Sequence, residues 1–237
     1  MYLVDPLLHN YLVTLNDWLF SLDNDVPIDA AYMDFRKAFD TVPHQRLINK
    51  LKGYNINGPI LQWIKSFLSD RTQFVKINNS CSKRLDVTSG VPQGSVLGPT
   101  LFIYFINDLP NSAINTPMKI FADDTKVYKS IESENDVKQL QSAIDNMFEW
   151  TQKWLLKFNN EKCKILHLGK NNPKHEYFIG NDDQRILMDV TELEKDLGVH
   201  IDPNLNFKDH VNKTVKKLAT PATKYYKNFA YRDGNTF

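Results

Sequence analysis

The sequence predicts an α+β fold in which helices pack against a small, largely antiparallel sheet. Short strand patterns and helical patterns are mixed along the 237 residues, without the regular strand–helix–strand alternation of a parallel sheet. Hydrophobic residues make up 42% of the chain and aromatic residues 12%, which is enough to form a core. No apolar run reaches the roughly 18 residues that a membrane-spanning helix needs.

The first 70 residues predict three helices and one strand. Leucines at helical spacing predict a helix over residues 5–24, with a stripe formed by Leu8, Leu12, Leu15, Leu19 and Leu22. The short apolar segment 27–35 predicts a buried strand. Helices are expected over 41–54 and 59–70, and the apolar face of the second consists of Ile60, Trp63, Ile64, Phe67 and Leu68.

The middle of the chain predicts a strand pair, a helix and a hairpin. Segments 72–77 and 83–89 form short strands joined by polar residues. Segment 95–110 is apolar almost all round, which is typical of a fully buried helix. Segment 118–128, "MKIFADDTKVY", alternates apolar and basic residues and predicts a hairpin with two adjacent aspartates at its tip.

The last part of the chain predicts one long helix followed by short strands. The helix covers residues 136–158, and Trp150 and Trp154 fit core positions in it better than positions for stacking bases. Strands are expected at 162–169, 175–180, 185–190 and 196–201. The basic tail follows, and Pro221 should break any helix that forms there.

Charge and cysteine content narrow the classes of function. The formal net charge is +1, so a nucleic-acid partner would have to meet a local basic patch. Cys81 and Cys163 lie far apart without a CxxC spacing, which argues against a disulfide framework or a zinc site. The first ten residues lack a signal-peptide pattern, so we expect an intracellular protein, nuclear or cytoplasmic, without membrane contact.

The adjacent pair Asp123 and Asp124 carries the first chemical signal. Two carboxylates about 4 Å apart repel each other by about 1 kcal/mol in water, and by more when they are partly buried. A divalent cation relieves that repulsion, and Mg²⁺ prefers carboxylates together with substrate phosphates. The alternative is that the two aspartates only favour a turn.

Two further segments strengthen that signal. Asp34 ends the strand 27–35, where it could join the pair if the strands are neighbours, or could simply cap the next turn. The segment "SGVPQGSVLGP", residues 89–99, combines glycines and prolines with Gln93, which both donates and accepts hydrogen bonds. It could line a ligand site, or it could be an ordinary connection from a strand to a helix.

The order of six sequence blocks resembles the reverse transcriptase domain of non-LTR (LINE-type) retrotransposons of the jockey or CR1 sort. The resemblance covers roughly residues 6–212, and its blocks are "YMDFRKAFDTVPH", "SGVPQGSVLGP", "INDLP", "FADDTKVY", "WLLKFNNEKC" and "KDLGVHID". It implies a polymerase palm with the start of a thumb, divided as a palm over 1–190 and a primer-grip region with partial thumb over 191–237.

The resemblance implies RNA-directed DNA polymerisation, in which a primer 3′-hydroxyl attacks a deoxynucleotide with the help of two metal ions. The cofactor would be Mg²⁺ or Mn²⁺, and the partners would be an RNA template, a DNA primer and dNTPs. Members of this family carry a fingers region, and some an endonuclease, before the first block. We therefore expect this sequence to be a fragment that lacks both and polymerises poorly alone.

The metal ligands implied by the resemblance are Asp34, Asp123 and Asp124. Phe35 would offer its backbone carbonyl to the metal on the nucleotide side. Lys162 resembles the basic residue that protonates the leaving pyrophosphate.

The resemblance also assigns residues to the nucleotide and the primer. Phe39 resembles the bulky side chain beneath the nucleotide sugar. The loop that lines the nucleotide and the templating base matches Pro92, Gln93 and Gly94, and the primer-gripping turn matches Leu197 and Gly198.

Two other functions stay open at this point. The first is a catalytically inactive retroelement remnant that at most binds nucleic acid. The second is an unrelated Mg²⁺-dependent hydrolase or nuclease, which would need neither Gln93 nor Phe39 and would cleave nucleic acid without deoxynucleotides.

Overall fold

The computed structural model describes residues 6–181 and 185–228. Within these ranges the α-helices are α1 Pro6–Asp23, α2 Ala38–Thr41, α3 His44–Gly53, α4 Gly58–Leu68, α5 Leu97–Ile106, α6 Glu134–Trp154 and α7 Lys208–Asn228. A 3₁₀-helix covers Leu109–Ser112. In the same ranges, no helix is both long and apolar enough to cross a membrane.

The strands are short and fall close to the predicted segments. They are β1 Ile28–Met33, β2 Thr72–Gln73, β3 Lys76–Ile77, β4 Ser80–Cys81, β5 Leu85–Asp86, β6 Met118–Phe121, β7 Asp124–Ser130, β8 Lys164–Leu168, β9 Phe178–Ile179, β10 Ile186–Leu187, β11 Asp189–Thr191, β12 Glu194–Asp196 and β13 Val199–Ile201. Segment 185–190 contributes to two strands rather than one, because buried Met188 separates β10, which pairs with β9, from β11, which pairs with β8.

A five-stranded sheet in the order β11–β8–β1–β7–β6 forms the centre of the described chain. Its neighbouring strands are antiparallel except for β11 and β8. Central strand β1 is buried on both faces, and its small residues Ala30 and Ala31 are fully covered. The prediction of an α+β fold with a largely antiparallel sheet is confirmed.

Two hydrophobic clusters cover the two faces of the sheet, because successive side chains of a strand point to opposite sides. Ala31, Met33 and Val127 lie in the larger cluster, with residues of α3, α4, α5 and α6. Ala30 and Tyr128 lie in the smaller one, with Trp18 of α1 and residues near β13. The sheet is therefore the middle layer of three.

Helix α1 forms as predicted, and its predicted leucine stripe is only partly correct. Trp18 and Thr14 are buried, whereas Leu12 and Leu19 of the predicted stripe are about half exposed. The ring of Trp18 meets Tyr128 of β7 edge to face at 5.6 Å between centroids. The large aromatic ring fills the layer between helix and sheet, and Leu15 and Leu22 of the stripe pack beside it.

The predicted packing of α4 and α5 is also partly wrong. Helix α4 buries Leu61, Ile64 and Leu68, but leaves Ile60 and Trp63 more than half exposed. Helix α5 was expected to be buried on all sides, yet Ile103 is 55% exposed. Both helices lie at the edge of the larger cluster, where only one side of each has a partner.

Helix α7 continues through Pro221, so the prediction of a break there is wrong. A proline inside a helix removes one backbone hydrogen bond and costs about 3 kcal/mol. The remaining hydrogen bonds of a helix of 21 residues can hold the turns on both sides of it.

Lys50 of α3 is buried inside an aromatic cage that joins three helices. Its ammonium lies 4.8, 4.5 and 3.8 Å from the ring centroids of Phe105, Trp150 and Trp154. It also forms an ion pair with Asp108, whose carboxylate accepts a second hydrogen bond from Trp150 Nε1 at 3.0 Å. Trp150 and Trp154 thus lie at packing positions, as predicted.

Burial lowers the pKa of Lys50 to about 8, although Asp108 opposes the shift. Below pH 8 the folded protein carries the cost of burying the charge. Between pH 8 and 10.5 the unfolded chain binds more protons than the folded one, so stability should rise with pH.

We expect Lys50→Met to remove this contribution, which is at most about 1.4 kcal/mol per pH unit. Chemical unfolding of wild type and Lys50→Met from pH 7 to 10 measures the free energy of unfolding. An equal dependence on pH in the two proteins would contradict the lowered pKa of Lys50.

Candidate active site

The two adjacent aspartates lie where the sequence predicts, at the tip of the hairpin formed by β6 and β7. Phe121 pairs with Asp124, which leaves Ala122 and Asp123 as a two-residue turn. Ala122 has a φ of 52°, a left-handed conformation that is unusual for a residue with a side chain. The tight turn places Asp123 at the end of the hairpin and Asp124 at the first position of β7.

The register of β1 and β7 brings Asp34 to the same end of the sheet. Met33 is the last residue of β1 and pairs with Thr125. One step further along both strands, Asp34 stands across from Asp124, beside the turn that holds Asp123. Residues directly opposite each other share one face of an antiparallel pair. The structure thus places the three predicted carboxylates at one end of the sheet, although the three do not lie close enough together to form a metal-binding group by themselves.

The electrostatics of the cluster reflect this grouping. Burial raises the pKa of Asp34, Lys162 lowers it, and the nearby charge of Asp123 raises it further. Burial also raises the pKa of Asp124, with further increases from Asp123, Asp196 and Asp34. Each carboxylate therefore destabilises the ionised form of its neighbours. A bound cation would relieve this repulsion.

A backbone strap formed by residues 157–163 holds the chain around Asp34. The N–H of Asn159 donates to the carbonyl of Asp34 at 2.8 Å, and the N–H of Arg36 donates to the carbonyl of Lys157 at 2.8 Å. Phe158 stacks on Phe35 with 4.7 Å between ring centroids. The C=O and N–H of one peptide group point in opposite directions, so the carbonyl of Phe35, which shares its peptide with the Arg36 N–H, points away from the strap.

Lys162 lies at the end of the same strap. Its ammonium is 3.8 Å from Oδ1 of Asp34, and 66% of its side chain is exposed. Buried Cys163 follows, with its sulfur 3.8 Å from the Asp34 carbonyl oxygen. Cys163 and exposed Cys81 are both free thiols, which agrees with the prediction of no disulfide.

A cavity of about 290 Å³ opens beside the carboxylates. Four of the predicted site residues line it, namely Asp34, Asp124, Lys162 and Leu197. Further lysines in its lining are Lys119, Lys126, Lys164 and Lys195. The lining also contains Glu161, Glu194 and Asp196, so acidic and basic side chains are mixed around the cavity and neither sign dominates.

Sequence reasoning missed the ion pair that forms one wall of this cavity. Lys126 of β7 and Asp196 of β12 are both buried and bind each other directly. The hydroxyl of Tyr32 also donates to Asp196, at 3.5 Å. Strand β7 contains several polar residues, so Lys126 does not stand out in the sequence, and its partner lies 70 residues away in the chain.

This ion pair fastens the predicted primer-grip turn to the sheet. Leu197 and Gly198 connect β12 to β13 in a two-residue turn, with φ values of 48° and 91°. Such a turn favours asparagine and glycine, so a leucine in its first position is unusual. The Leu197 side chain lines the cavity.

The residues predicted to bind the nucleotide form a second group, outside the lining of this cavity. Phe39 is half-buried and stacks on Phe102 with 4.4 Å between ring centroids. Gln93 is exposed and donates a hydrogen bond to Asp40 at 2.9 Å. Gly94 has a φ of 77°, and Pro92 precedes this pair on the same loop.

The described side chains do not form a metal cage of their own. No three His, Cys, Asp or Glu residues within the described ranges lie close enough together to hold an ion. Mg²⁺ commonly binds to one or two carboxylates and completes its shell with water and substrate phosphates. The oxygen-only, mutually repelling carboxylates at this sheet end fit such an ion.

A small antiparallel sheet that carries carboxylates at one end and packs on helices defines the palm class of polymerases. The family profile described as reverse transcriptase (RNA-dependent DNA polymerase) matches residues 30–218. The chain therefore belongs to the reverse transcriptase family. Reverse transcriptases generally use divalent metal ions.

Several curated relatives come from mobile elements of fruit flies. The probable RNA-directed DNA polymerase from transposon X-element of Drosophila melanogaster is 28% identical over 88% of this chain. The RNA-directed DNA polymerase from mobile element jockey of Drosophila funebris is 31% identical over 89% of the chain. The chain spans 23% of the length of each of these relatives. The predicted resemblance to jockey is confirmed.

Solved structures agree on the fold. Apo telomerase from Candida tropicalis, truncated from its C-terminal domain, superposes with a TM-score of 0.55 at 15% identity. The match covers 84% of this chain and 38% of that one. Telomerase from the same organism in complex with a fragment of telomeric RNA also has a TM-score of 0.55, at 14% identity, over 84% of this chain and 32% of that one.

The repulsion around Asp124 predicts that its neutralisation stabilises the protein. The pKa of Asp124 is raised in the folded state, so the folded protein binds more protons and its stability falls as pH rises above 3.8. Asp124→Asn should raise Tm by about 1 °C at most at pH 7 in metal-free buffer, because Asp124 is exposed and water screens much of the repulsion. The gain should shrink towards pH 4, where the wild-type carboxylate becomes protonated.

Thermal unfolding of wild type, Asp124→Asn and Asp70→Asn at several pH values measures this effect. Asp70 is an exposed aspartate for which φ is 55°, a conformation that asparagine adopts readily, and it serves as the matched control. An equal or lower Tm for Asp124→Asn would contradict the prediction.

Proposed function

We propose that this chain forms the catalytic palm of an RNA-directed DNA polymerase of a non-LTR retrotransposon. The observation that carries the proposal is the β1–β7 register, which groups Asp34 with Asp123 and Asp124 at one end of the sheet. The family match and the jockey-like relatives support it. The substrates would be an RNA template, a DNA primer and dNTPs.

The reaction joins the primer 3′-hydroxyl to the α-phosphate of a dNTP and releases pyrophosphate. Phosphoryl transfer requires mainly positioning and stabilisation of charge, so carboxylates on rigid strands are suited to it. Asp34 and Asp123 would hold a pair of Mg²⁺ or Mn²⁺ ions, with Asp124 less directly engaged. When bound, such ions lower the pKa of the attacking hydroxyl and neutralise the triphosphate.

Lys162 and Phe35 would complete the catalytic end of the site. The carbonyl of Phe35 points away from the strap, so it can serve as a further oxygen ligand. Lys162 already lies beside Asp34 with most of its side chain exposed. Its ammonium could therefore leave that ion pair and donate a proton to the departing pyrophosphate.

The second group of residues would bind the nucleotide. Phe39 would lie beneath the sugar, with its ring supported by Phe102. Pro92, Gln93 and Gly94 would line the nucleotide and the templating base. We further propose that residues 1–190 form the palm and that 191–237 form the primer grip and part of a thumb, with Leu197 and Gly198 contacting the primer.

The inactive remnant and the unrelated hydrolase are the competing proposals. The remnant would bind nucleic acid but incorporate no nucleotide. The hydrolase would cleave nucleic acid in the absence of dNTPs. The grouping of the three carboxylates favours an active enzyme over the remnant, and the family match argues against the hydrolase.

Incorporation of a single dTTP on poly(rA)/oligo(dT), with protein in excess over primer, tests the polymerase proposal. We expect Mg²⁺-dependent primer extension by the chain, and faster extension when the segment preceding the matched region of the jockey relative is grafted upstream. Asp34→Asn should reduce the rate at least about 100-fold, because it removes an anionic metal ligand. Asp70→Asn should leave the rate unchanged.

Each alternative gives a distinct result in the same assay. Absence of extension, even with the grafted segment, would favour the remnant. Extension by Asp34→Asn would contradict the role of that carboxylate. Primer or template cleavage that needs no dTTP would favour the hydrolase.

The position proposed for Phe39 predicts selection against ribonucleotides. A ring beneath the sugar leaves no space for a 2′-hydroxyl, so Phe39→Val should raise the ratio of kcat/KM for UTP to that for dTTP by at least about tenfold. Loss of packing alone would lower both values and leave the ratio unchanged. Phe102→Leu is the matched control, because it weakens the same ring stack without enlarging the sugar site. An unchanged ratio in folded Phe39→Val would leave Phe39 as a packing residue.

A further inference from the structure

We propose that Asp40 is a positioning residue that orients the amide of Gln93 in the nucleotide site. This inference rests on the proposed function, because it assumes that Gln93 contacts the incoming nucleotide. It adds a residue that acts through Gln93 and has no assigned role of its own.

The contact is a hydrogen bond from Gln93 Nε2 to Oδ1 of Asp40, at 2.9 Å. A carboxylate only accepts hydrogen bonds, whereas a glutamine amide has one donor end and one acceptor end. A flipped amide would place two oxygens against each other. Asp40 therefore selects one orientation of the amide, in which Oε1 points away from Asp40 and stays available to a donor on the nucleotide.

A seam of backbone contacts between residues 39–42 and 89–91 fixes the spacing of the two side chains. The N–H of Val91 donates to the Phe39 carbonyl at 2.7 Å, and the N–H of Gly90 donates to the Val42 carbonyl at 2.8 Å. The hydroxyl of Ser89 donates to the Asp40 carbonyl at 2.9 Å. The first three residues of the loop are thus attached to the α2 turn.

Gly90 shows how close the two segments are. A Cβ atom at this position would lie 2.6 Å from the carbonyl oxygen of Asp40, and φ is +90°. Both facts require glycine here. The imidazole of His44 adds a 2.7 Å hydrogen bond to the carbonyl of Gly90 from the start of α3.

The seam, and not the Asp40–Gln93 pair, holds the loop in place. Both side chains are exposed, so their hydrogen bond contributes little to folding. Asp40 directly follows Phe39, so one turn holds both the ring proposed for the sugar and the acceptor of the Gln93 amide. The loss of Asp40 should therefore loosen Gln93 without displacing the loop.

The first test observes the contact in the isolated chain. In ¹⁵N NMR spectra, the side-chain amide of Gln93 should show a hydrogen-bonded shift that Asp40→Ala abolishes. Asp40→Asn should retain part of it, because the asparagine oxygen still accepts. Ser89→Ala is the matched control, since it removes a seam contact to Asp40 without touching Gln93. A Gln93 amide that is unaffected by Asp40→Ala would overturn the proposal.

The second test measures coupling in nucleotide binding. Affinity for dTTP is measured with Mg²⁺ and poly(rA)/oligo(dT) ending in a dideoxynucleotide, which prevents extension, for wild type, Asp40→Ala, Gln93→Ala and the double variant. Each single variant should weaken binding about fivefold, and the double variant should be no weaker than Gln93→Ala alone. Asp40→Asn should recover most of the affinity, and the Tm of every variant should stay close to wild type.

Two results would overturn the inference, and one distinct result concerns the proposed function. Effects of Asp40→Ala and Gln93→Ala that multiply in the double variant would show that the two residues act independently. Weakening by Gln93→Ala without any by Asp40→Ala would also overturn it. Failure of the proposed function would appear earlier, as a wild-type chain that binds no dTTP on the primed template.

Discussion

The pairing of β1 with β7 is the constraint on which the rest of the structure depends. The match of Met33 with Thr125 decides which residues stand at the end of the sheet, and it places Asp34 beside the hairpin that carries Asp123 and Asp124. A slip of one residue would turn every side chain of β1 to the other face. Both faces of β1 are buried, so such a slip would exchange its side chains between the two hydrophobic clusters, disturb the packing of both and move Asp34 away from the cavity.

Repulsion within the carboxylate cluster lowers the free energy of unfolding, and neighbouring lysines offset part of this loss. Burial and mutual repulsion raise the pKa of Asp34 and Asp124, while Lys162 and Lys126 act in the opposite direction. These two lysines differ in kind. Lys126 is buried in an ion pair with Asp196 and fastens the β12–β13 hairpin, whereas Lys162 is largely exposed beside Asp34. Lys126 is therefore part of the cavity wall, and Lys162 is the lysine proposed to donate a proton.

Backbone hydrogen bonds, more than side-chain contacts, hold the segments on both sides of Asp34. The strap 157–163 holds the chain at Asp34 itself, and the seam between 39–42 and 89–91 holds the loop that is proposed to line the nucleotide. Exposed side chains such as Gln93 and Lys162 can then interact with ligands without carrying the fold. This division suits a site that must bind, transfer and release charged substrates.

Local patterns in the sequence determined the fold class, the positions of most helices and strands, and the acidic hairpin tip, because periodicity and turn chemistry depend on neighbours in the chain. Tertiary structure alone decided which face each helix buries, since Trp18 meets Tyr128 while Leu12 and Leu19 of the leucine stripe stay about half exposed. It also decided the pairs Lys126–Asp196 and Asp40–Gln93, whose members lie 70 and 53 residues apart. Contacts between distant residues depend on how the strands pair and how the loops are attached, which composition and spacing do not encode.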